Sequence, residues 1–216
     1  MSMKTRVKIC GLTRPEDVAL SIQTGAAFLG FIVEAPSKRR LSVKHAAQLS
    51  LPAKGIIPRV AVTVNANNAL LRRIKRDMRP DYIQCHGEET PERLAEILRD
   101  FSLKTIKAIA VSTDADMKTA EHYSGAAEFI LYDAKPPTGS KIRGGHGLQI
   151  DWGIVRRAPL PKLFALAGGL DPANVATAIK HTGAPIVDVS SGVEITAGVK
   201  DPLKIEAFMN AALERS

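Results

Sequence analysis

Short apolar segments alternate along this chain with amphipathic, helix-like segments, and this alternation constrains the fold more than any other feature. Most of the short segments are continuously apolar, as expected for parallel strands that are buried on both faces. Eight such repeats within 216 residues predict one α/β domain, a (β/α)₈ barrel of eight parallel strands over residues 1–216. The candidate strands are Arg6–Ile9, Phe28–Val33, Arg59–Val64, Tyr82–Cys85, Thr105–Val111, Phe129–Tyr132, Lys162–Ala167 and Ile186–Val189.

A doubly wound open sheet is the alternative fold. It would normally use fewer strands and would carry a glycine-rich fingerprint after the first strand, where this chain has Cys10-Gly11-Leu12-Thr13. Thr13-Arg14-Pro15-Glu16 predicts a capping box with Thr13 as the N-cap of the first helix. Three later helix starts are predicted where a capping side chain precedes proline: Thr90-Pro91, Asp171-Pro172 and Asp201-Pro202.

Composition excludes several classes of protein. Two cysteines without C-x-x-C spacing do not support a disulfide scaffold, a redox motif or a zinc motif. No segment approaches the roughly 18 apolar residues of a membrane span, and no signal-peptide pattern is present, so we expect no membrane partner and a cytoplasmic location. The net charge of +8 is spread along the chain, which argues against a nucleic-acid partner and suits an anionic substrate.

Two residues at predicted strand ends are candidates for acid–base chemistry. Cys10 follows the first strand beside a glycine and shortly before a helix start, a setting that can make a thiol a base or nucleophile. A buried, inert cysteine is the alternative. Asp133 follows the sixth strand, where a carboxylate is costly unless it is paired or functional. A helix or loop cap remains an equal alternative for Asp133.

Three glycine-rich turns come late in the chain: Gly144-Gly145-His146-Gly147, Gly168-Gly169 and Ser190-Ser191-Gly192. The last two follow the seventh and eighth strands, the loops with which barrels frequently bind phosphate. Glycine lets the backbone approach an anion closely. Any one of these turns could be an ordinary tight turn, but two on adjacent strands predict a phosphate site.

Two further segments offer polar groups to the same end of the barrel. In Ser37-Lys38-Arg39-Arg40, one arginine could bind a substrate carboxylate through its fork of donors, while Lys38 and Arg40 fit a solvated loop. Gln84-Cys85-His86-Gly87 ends the fourth strand, and a lone histidine there is more often a polar lining residue than a metal ligand. No set of His, Asp and Glu has metal-ligand spacing, so we predict no metal.

Taken together, these segments resemble the phosphoribosylanthranilate isomerase family, in family order and over nearly the whole chain. The matching motifs are Lys8-Ile9-Cys10-Gly11-Leu12-Thr13, Gly30-Phe31, Gln84-Cys85-His86-Gly87, Gly144-Gly145-His146-Gly147 with Asp151-Trp152, Ala167-Gly168-Gly169-Leu170 with Asn174-Val175, and Val187-Asp188-Val189-Ser190-Ser191-Gly192-Val193-Glu194. Departures occur at Glu34-Ala35-Pro36, where the family often has an aromatic residue before proline, and at Cys85, where it usually has an aliphatic residue.

The resemblance implies an Amadori rearrangement of N-(5-phosphoribosyl)anthranilate to 1-(2-carboxyphenylamino)-1-deoxyribulose 5-phosphate in tryptophan biosynthesis, without a cofactor. It implies that Cys10 is the general base and Asp133 the general acid. Arg39 would bind the anthranilate carboxylate, although the choice between Arg39 and Arg40 stays open. The implied substrate-binding set is completed by His86, Gly145, Gly147, Gly168, Gly169, Ser190, Ser191 and Gly192. A monomer and a homodimer are both compatible with the sequence.

Two other functions use the same scaffold. A histidine-pathway sugar isomerase runs the same type of rearrangement with two aspartates, and Cys10 at the end of the first strand argues against it. A non-catalytic sensor of phosphorylated ligands would not need Cys10 and Asp133, and both are present.

Overall fold

The computed structural model describes residues 5–135 and 147–213, and within these ranges eight parallel strands form a closed barrel. Each strand pairs in parallel with the next, and the first pairs with both the second and the eighth, which closes the sheet on itself. The predicted (β/α)₈ barrel is therefore confirmed. The strands are β1 (Arg6–Ile9), β2 (Phe28–Val33), β3 (Arg59–Thr63), β4 (Tyr82–Cys85), β5 (Lys104–Val111), β6 (Phe129–Ala134), β7 (Phe164–Leu166) and β8 (Ile186–Val189).

Helices connect the strands around the outside of the barrel. They are α1 (Pro15–Gln23), α2 (Val43–Ser50), α3 (Asn68–Arg73), α4 (Pro91–Phe101), α5 (Asp114–Lys118), α6 (Trp152–Arg157), α7 (Val175–Thr182) and α8 (Pro202–Leu213). A π-helical turn at Ile74–Met78 extends α3. A short strand, Arg40–Leu41, pairs with β2, and an antiparallel hairpin, Glu194–Thr196 with Val199–Lys200, follows β8. None of the helices in the described ranges is long and apolar enough to cross a membrane.

The strand bounds follow the apolar segments closely, with informative exceptions at β6 and β7. β1, β2, β4 and β8 have the predicted bounds. β6 continues two residues further than predicted, because Asp133 and Ala134 still pair with Ala110 and Val111 of β5. Asp133 therefore lies within the strand, where its backbone is held by the sheet. β7 is shorter than predicted and covers only Phe164–Leu166.

Two of the predicted helix starts are wrong. α1 has Arg14, and not Thr13, at its N-cap, without a side-chain capping bond. The Thr13 hydroxyl instead donates to the Gly198 carbonyl of the hairpin, so a tertiary partner has replaced the local one. α7 begins at Val175, later than Asp171-Pro172 predicts, because the Asp171 carboxylate caps the turn that precedes the helix.

The other two predicted starts are correct. Thr90 accepts a hydrogen bond from the Arg93 amide at the start of α4. The Asp201 carboxylate accepts from the Leu203 and Lys204 amides at the start of α8.

Alternation of side chains along the strands divides the core into two layers. Val7 and Ile9 of β1 belong to the larger cluster between the strands and the helices, whereas Cys10 belongs to a smaller cluster inside the barrel. At the N-terminal end of the barrel, three aromatic rings from alternate strands fill the interior, with centroids 5.9–6.3 Å apart: Phe28, Tyr82 and Phe129. A binding site can therefore open only at the opposite end, where the strands finish.

A buried ion pair joins the loops that follow β3 and β4. The Lys107 ammonium lies 2.9 Å from a Glu89 carboxylate oxygen, and both side chains are almost fully buried. The same carboxylate accepts from the Asn65 and Gly87 amides, and Lys107 also donates to the Gly87 carbonyl. Three backbone groups from two loops are thus held by one charge pair.

We expect Glu89→Ala to lower the free energy of unfolding by about 3–5 kcal/mol, because it leaves the buried Lys107 ammonium without a counter-charge. The matched control is Glu128→Ala, which removes the partner of Lys104 from a pair whose side chains are 55% and 41% exposed. An exposed pair contributes at most about 1 kcal/mol. Urea unfolding of both variants measures the difference, and equal losses would contradict this reading.

Candidate active site

One cavity at the C-terminal end of the barrel brings together most of the polar residues predicted from the sequence. Cys10, Arg39, His86, Asp133 and Ser190 all line it. Its other lining residues are Gln84, Asp188, Ser37 and the apolar Ile32, Ala35, Pro36, Val62 and Val64. The side chains come from six different strands or the loops after them, so only closure of the barrel places them around one space.

A second cavity lies beside the first and is lined by glycine-rich turns. It is lined by five of the residues that the sequence analysis assigns to phosphate binding: Gly147, Gly168, Gly169, Ser190 and Ser191. Gly145 lies outside the described residues. The two cavities share three residues and so form one continuous cleft: Asp133, Asp188 and Ser190.

Glycine is required at these turns for two different reasons. Gly168 and Gly169 have φ of +85° and +64°, in the left-handed region that other residues rarely adopt. Gly192 does not line the cleft, but a Cβ on it would lie only 1.9 Å from the Leu170 carbonyl oxygen. Its role is to let the turn after β8 pack against the turn after β7. The hydroxyl of Ser190 is buried in the cleft and has no hydrogen-bond partner among the described residues.

Cys10 follows β1 directly and is 6% exposed. Burial raises the pKa of its thiol above the ordinary value, although the neighbouring Lys8 ammonium acts in the opposite direction. Near neutral pH the neutral thiol is therefore the favoured form. Loss of water around the sulfur thus outweighs the nearby positive charge.

Lys8 was not recognised from the sequence as a functional residue. It lies two residues before Cys10 and therefore faces the same side of β1, inside the barrel. Its ammonium donates to the Asp188 carboxylate of β8 at 2.8 Å, and its side chain is 0% exposed. Burial lowers the pKa of Lys8, but Asp188 and Cys10 outweigh that effect and raise it, so Lys8 stays charged. The sequence did contain a signal for such a role, because a lysine at an inward-facing position of a buried strand is unusual.

Asp133 contacts His86 across the mouth of the cleft. The His86 Nε2 lies 3.3 Å from one carboxylate oxygen of Asp133, and the other oxygen accepts from the Ala134 amide at 2.8 Å. The amide nitrogen of Gln84 lies 3.1 Å from His86 Nδ1. If Gln84 donates there, Nε2 carries the proton of the neutral ring and points it at Asp133. His86 is thus oriented from both sides.

Arg39 and Arg40 differ in burial: Arg39 is buried and Arg40 is exposed. Arg39 lines the cleft, and its guanidinium donates from Nε and Nη2 to the two carboxylate oxygens of Glu194, at 2.7 and 2.6 Å. The Lys200 ammonium donates to the same carboxylate at 3.0 Å and also to the Cys10 and Ser190 carbonyls. Arg40 is exposed and does not line the cavity. Hydrogen bonding to Glu194 raises the pKa of Arg39.

Cys85 does not lie in this cleft. It faces the layer between the strands and the helices, where burial raises the pKa of its thiol to about 12. Its side chain therefore has a packing role in this layer. Replacement of Cys85 is therefore a suitable control for replacement of Cys10.

Comparison with known proteins agrees with the fold and the motifs. A sequence model of the N-(5′-phosphoribosyl)anthranilate isomerase family matches residues 7–211. The N-(5′-phosphoribosyl)anthranilate isomerase of Caulobacter vibrioides is 46% identical over 94% of this chain and 94% of its own length. The phosphoribosyl anthranilate isomerase structure from Thermotoga maritima is 35% identical, with a TM-score of 0.86, and covers 96% of this chain and 98% of its own.

A further solved structure holds a ligand. It is a phosphoribosyl anthranilate isomerase in complex with reduced 1-(o-carboxyphenylamino)-1-deoxyribulose 5-phosphate. That chain is 33% identical to this one, with a TM-score of 0.83, over 96% of this chain and 98% of its own.

We expect Gly192→Ala to lower the free energy of unfolding by about 1–3 kcal/mol, because the new methyl group forces the turns after β7 and β8 apart. Gly153→Ala is the matched control, since a Cβ there would meet only side-chain atoms at 3.0 Å and beyond, and alanine is the better helix former. Thermal and urea unfolding compare the two. If Gly192→Ala were as stable as the parent protein, the close approach of the turns would have no energetic importance.

Proposed function

The chain belongs to the N-(5′-phosphoribosyl)anthranilate isomerase family, and on that premise we propose that Cys10 and Asp133 perform its reaction as general base and general acid. The reaction is the isomerisation of N-(5′-phosphoribosyl)anthranilate to 1-(2-carboxyphenylamino)-1-deoxyribulose 5-phosphate, a step of tryptophan biosynthesis. One observation carries the proposal: the two side chains line a single cavity at the strand ends, and this cavity continues into the glycine-rich turns.

The cleft suggests an orientation for the substrate. The phosphate lies among the turns of Gly168-Gly169 and Ser190-Ser191, in the cavity that Gly147 also lines. Gly145, which the resemblance adds to the phosphate-binding set, lies outside the described residues. The buried Ser190 hydroxyl, which lacks a protein partner among the described residues, is a donor for a phosphate oxygen. The aromatic ring lies in the other cavity, where Ile32, Pro36 and Val62 are among the apolar lining residues.

The substrate carboxylate then lies near Arg39. Two nitrogens of this guanidinium are engaged by Glu194, which leaves Nη1 to donate to the ligand. Glu194 and Lys200 hold the guanidinium in place and so reduce the entropy that binding would otherwise have to remove. Arg40 is not proposed for this contact, because it lies outside the cavity.

The chemistry needs one proton donor and one proton acceptor, and no cofactor. Asp133, in its protonated form, donates to the furanose ring oxygen, and the C1–O bond breaks as the ring opens to a Schiff base. Cys10, as thiolate, removes the proton from C2, and the electron pair shifts to form an enolamine. Tautomerisation of the enolamine gives the ketone. His86 lines the same cavity beside the substrate and positions Asp133 through the 3.3 Å contact.

The remaining properties follow from the same proposal. The enzyme is one catalytic domain that acts in the cytoplasm on a small phosphorylated anion, with no metal and no nucleic-acid partner. The excess of positive charge, +8, assists the approach of that anion.

We expect Cys10→Ser and Asp133→Asn each to lower kcat about a hundredfold to ten-thousandfold, the usual contribution of a general acid or base. The assay follows the fluorescence of phosphoribosylanthranilate as it is consumed. Cys85→Ala is the control for thiol loss and should retain the parent turnover. Near-parental turnover in both catalytic variants would refute the assignment, and folded parent protein without turnover would refute the function.

We expect Arg39→Lys to raise KM about tenfold or more, because lysine cannot hold Glu194 through two nitrogens and a substrate carboxylate through a third. Arg40→Lys is the matched control and should leave KM unchanged, since Arg40 is exposed. Steady-state kinetics of both variants decides between the two arginines. A larger rise in KM for Arg40→Lys would reverse the assignment.

A further inference from the structure

The interior of the barrel holds a positive charge directly beneath Cys10. Lys8 and Cys10 are two residues apart on the same side of the first strand, and Lys8 is completely buried. Isolated burial of an ammonium is strongly unfavourable, so its presence needs a reason beyond packing. The proposed substrate carries its charges on its phosphate and its carboxylate, and we have placed both of these groups elsewhere in the cleft.

Gly30 shows how close the two side chains are. A Cβ on Gly30 would lie 2.7 Å from the Cys10 sulfur and 3.1 Å from the Lys8 Nζ. The Cys10 sulfur and the Lys8 Nζ therefore both lie next to the space that a side chain at position 30 would fill. The missing side chain on β2 lets the ammonium and the thiol approach each other inside the barrel.

Asp188 holds the ammonium through a direct ion pair. Its carboxylate lies 2.8 Å from Nζ, and the two residues are register partners on β1 and β8. Because both positions belong to the sheet, the backbone determines where the charge pair sits. Lys8 is thus a preorganised cation between one carboxylate and one thiol.

We propose that Lys8, held in place by Asp188, is the positioning residue whose ammonium stabilises the thiolate form of Cys10. The inference rests on the proposed role of Cys10 as the base. Deprotonation of Cys10 then converts an ammonium with one negative partner into an ammonium with two. Without this cation, burial would keep the thiol neutral, and the base would be present in its active form only rarely.

Other charged groups also face Cys10, and their positions distinguish them from Lys8. Lys200 contacts the Cys10 carbonyl and not its sulfur. Arg39 and Lys200 share the single carboxylate of Glu194, and the other partners of the Lys200 ammonium among the described residues are carbonyl oxygens. Asp133 and His86 line the same cavity and contact each other. Burial raises the pKa of Cys10 most, Lys8 lowers it and Asp188 raises it, so the two members of the ion pair act in opposite directions.

This opposition provides a test that does not depend on turnover. All variants carry Cys85→Ala, so that Cys10 is the single thiol of the protein. The measured quantity is the rate at which iodoacetamide alkylates Cys10 between pH 7 and pH 9, followed by mass spectrometry. Only the thiolate reacts, so the rate reports the fraction of thiolate at each pH.

Lys8→Met with Asp188→Asn removes both charges and leaves no lone buried ion. We expect it to react at least tenfold more slowly than the parent at each pH. Asp188→Asn alone leaves the ammonium with the thiol as its nearest counter-charge, and should react faster than the parent. The two variants share the change at position 188, so a difference between them reports Lys8 and not altered access to the cleft.

A matched control removes a different buried ion pair. Lys107→Met with Glu89→Gln neutralises a pair that does not contact Cys10, and should leave the alkylation rate unchanged. The pH dependence of kcat/KM gives a second readout. In Lys8→Met with Asp188→Asn, the rise of kcat/KM that reflects deprotonation of the base should shift to higher pH. A merely structural role of Lys8 would lower activity equally at all pH values.

The outcomes separate this inference from the proposed function. If folded Lys8→Met with Asp188→Asn is alkylated at the parent rate, the role of Lys8 is overturned, whatever happens to turnover. If Asp188→Asn alone does not fold, the comparison of the double variant with the parent still decides. If Cys10→Ser retains turnover while the alkylation rates shift as expected, the proposed base is wrong but the electrostatic pairing of Lys8 with Cys10 stands.

Discussion

Closure of the sheet on itself sends every second side chain of each strand to the barrel axis, and the rest of the structure depends on this constraint. At the N-terminal end the axis is filled by the rings of Phe28, Tyr82 and Phe129. At the opposite end the same alternation brings Cys10, Asp133 and Asp188 together. The aromatic rings at the N-terminal end stabilise the barrel, whereas the polar side chains at the C-terminal end form the site. Both sets point to the axis because the sheet is closed.

Buried charges organise the open end, and two of the ion pairs there join distant parts of the chain. Lys8 and Asp188 are 180 residues apart, and Arg39 and Glu194 are 155 apart. A buried charge without a partner is strongly unfavourable, so such pairs form only when the barrel is closed and the loops are seated. They are weak evidence for stability as such. Their effect is to define where each ammonium and guanidinium lies.

The cleft divides the proposed substrate into parts with different chemistry. The glycine-rich turns offer backbone and the Ser190 hydroxyl to a phosphate, and the loop after β2 offers Arg39 and apolar surface to an aromatic acid. Asp133 lies at the junction of the two cavities, and Cys10 lines the cavity beside it. In the proposed binding mode, anchoring the substrate at both ends positions its sugar between Asp133 and Cys10, which is the contribution that proximity makes to catalysis.

Local pattern in the sequence was sufficient to predict the barrel, four strand bounds, and the residues that line the cleft at positions 10, 86, 133 and 168–169. These features depend on apolar runs, on strand ends and on glycine, all of which act within a few residues. The extra length of β6 was missed, because its last two residues are held by pairing with β5 and not by their own apolar character.

Only the tertiary structure distinguished Arg39 from Arg40, moved the Thr13 hydroxyl from a helix cap to the hairpin, and placed Lys8 beneath Cys10. The physical reason is the same in each case. A hydrogen bond or a counter-charge is supplied by whatever group the closed barrel brings near, and no local pattern encodes a partner that lies 155 or 180 residues away. The sequence determined which groups face the axis; the closed barrel determined which of them meet.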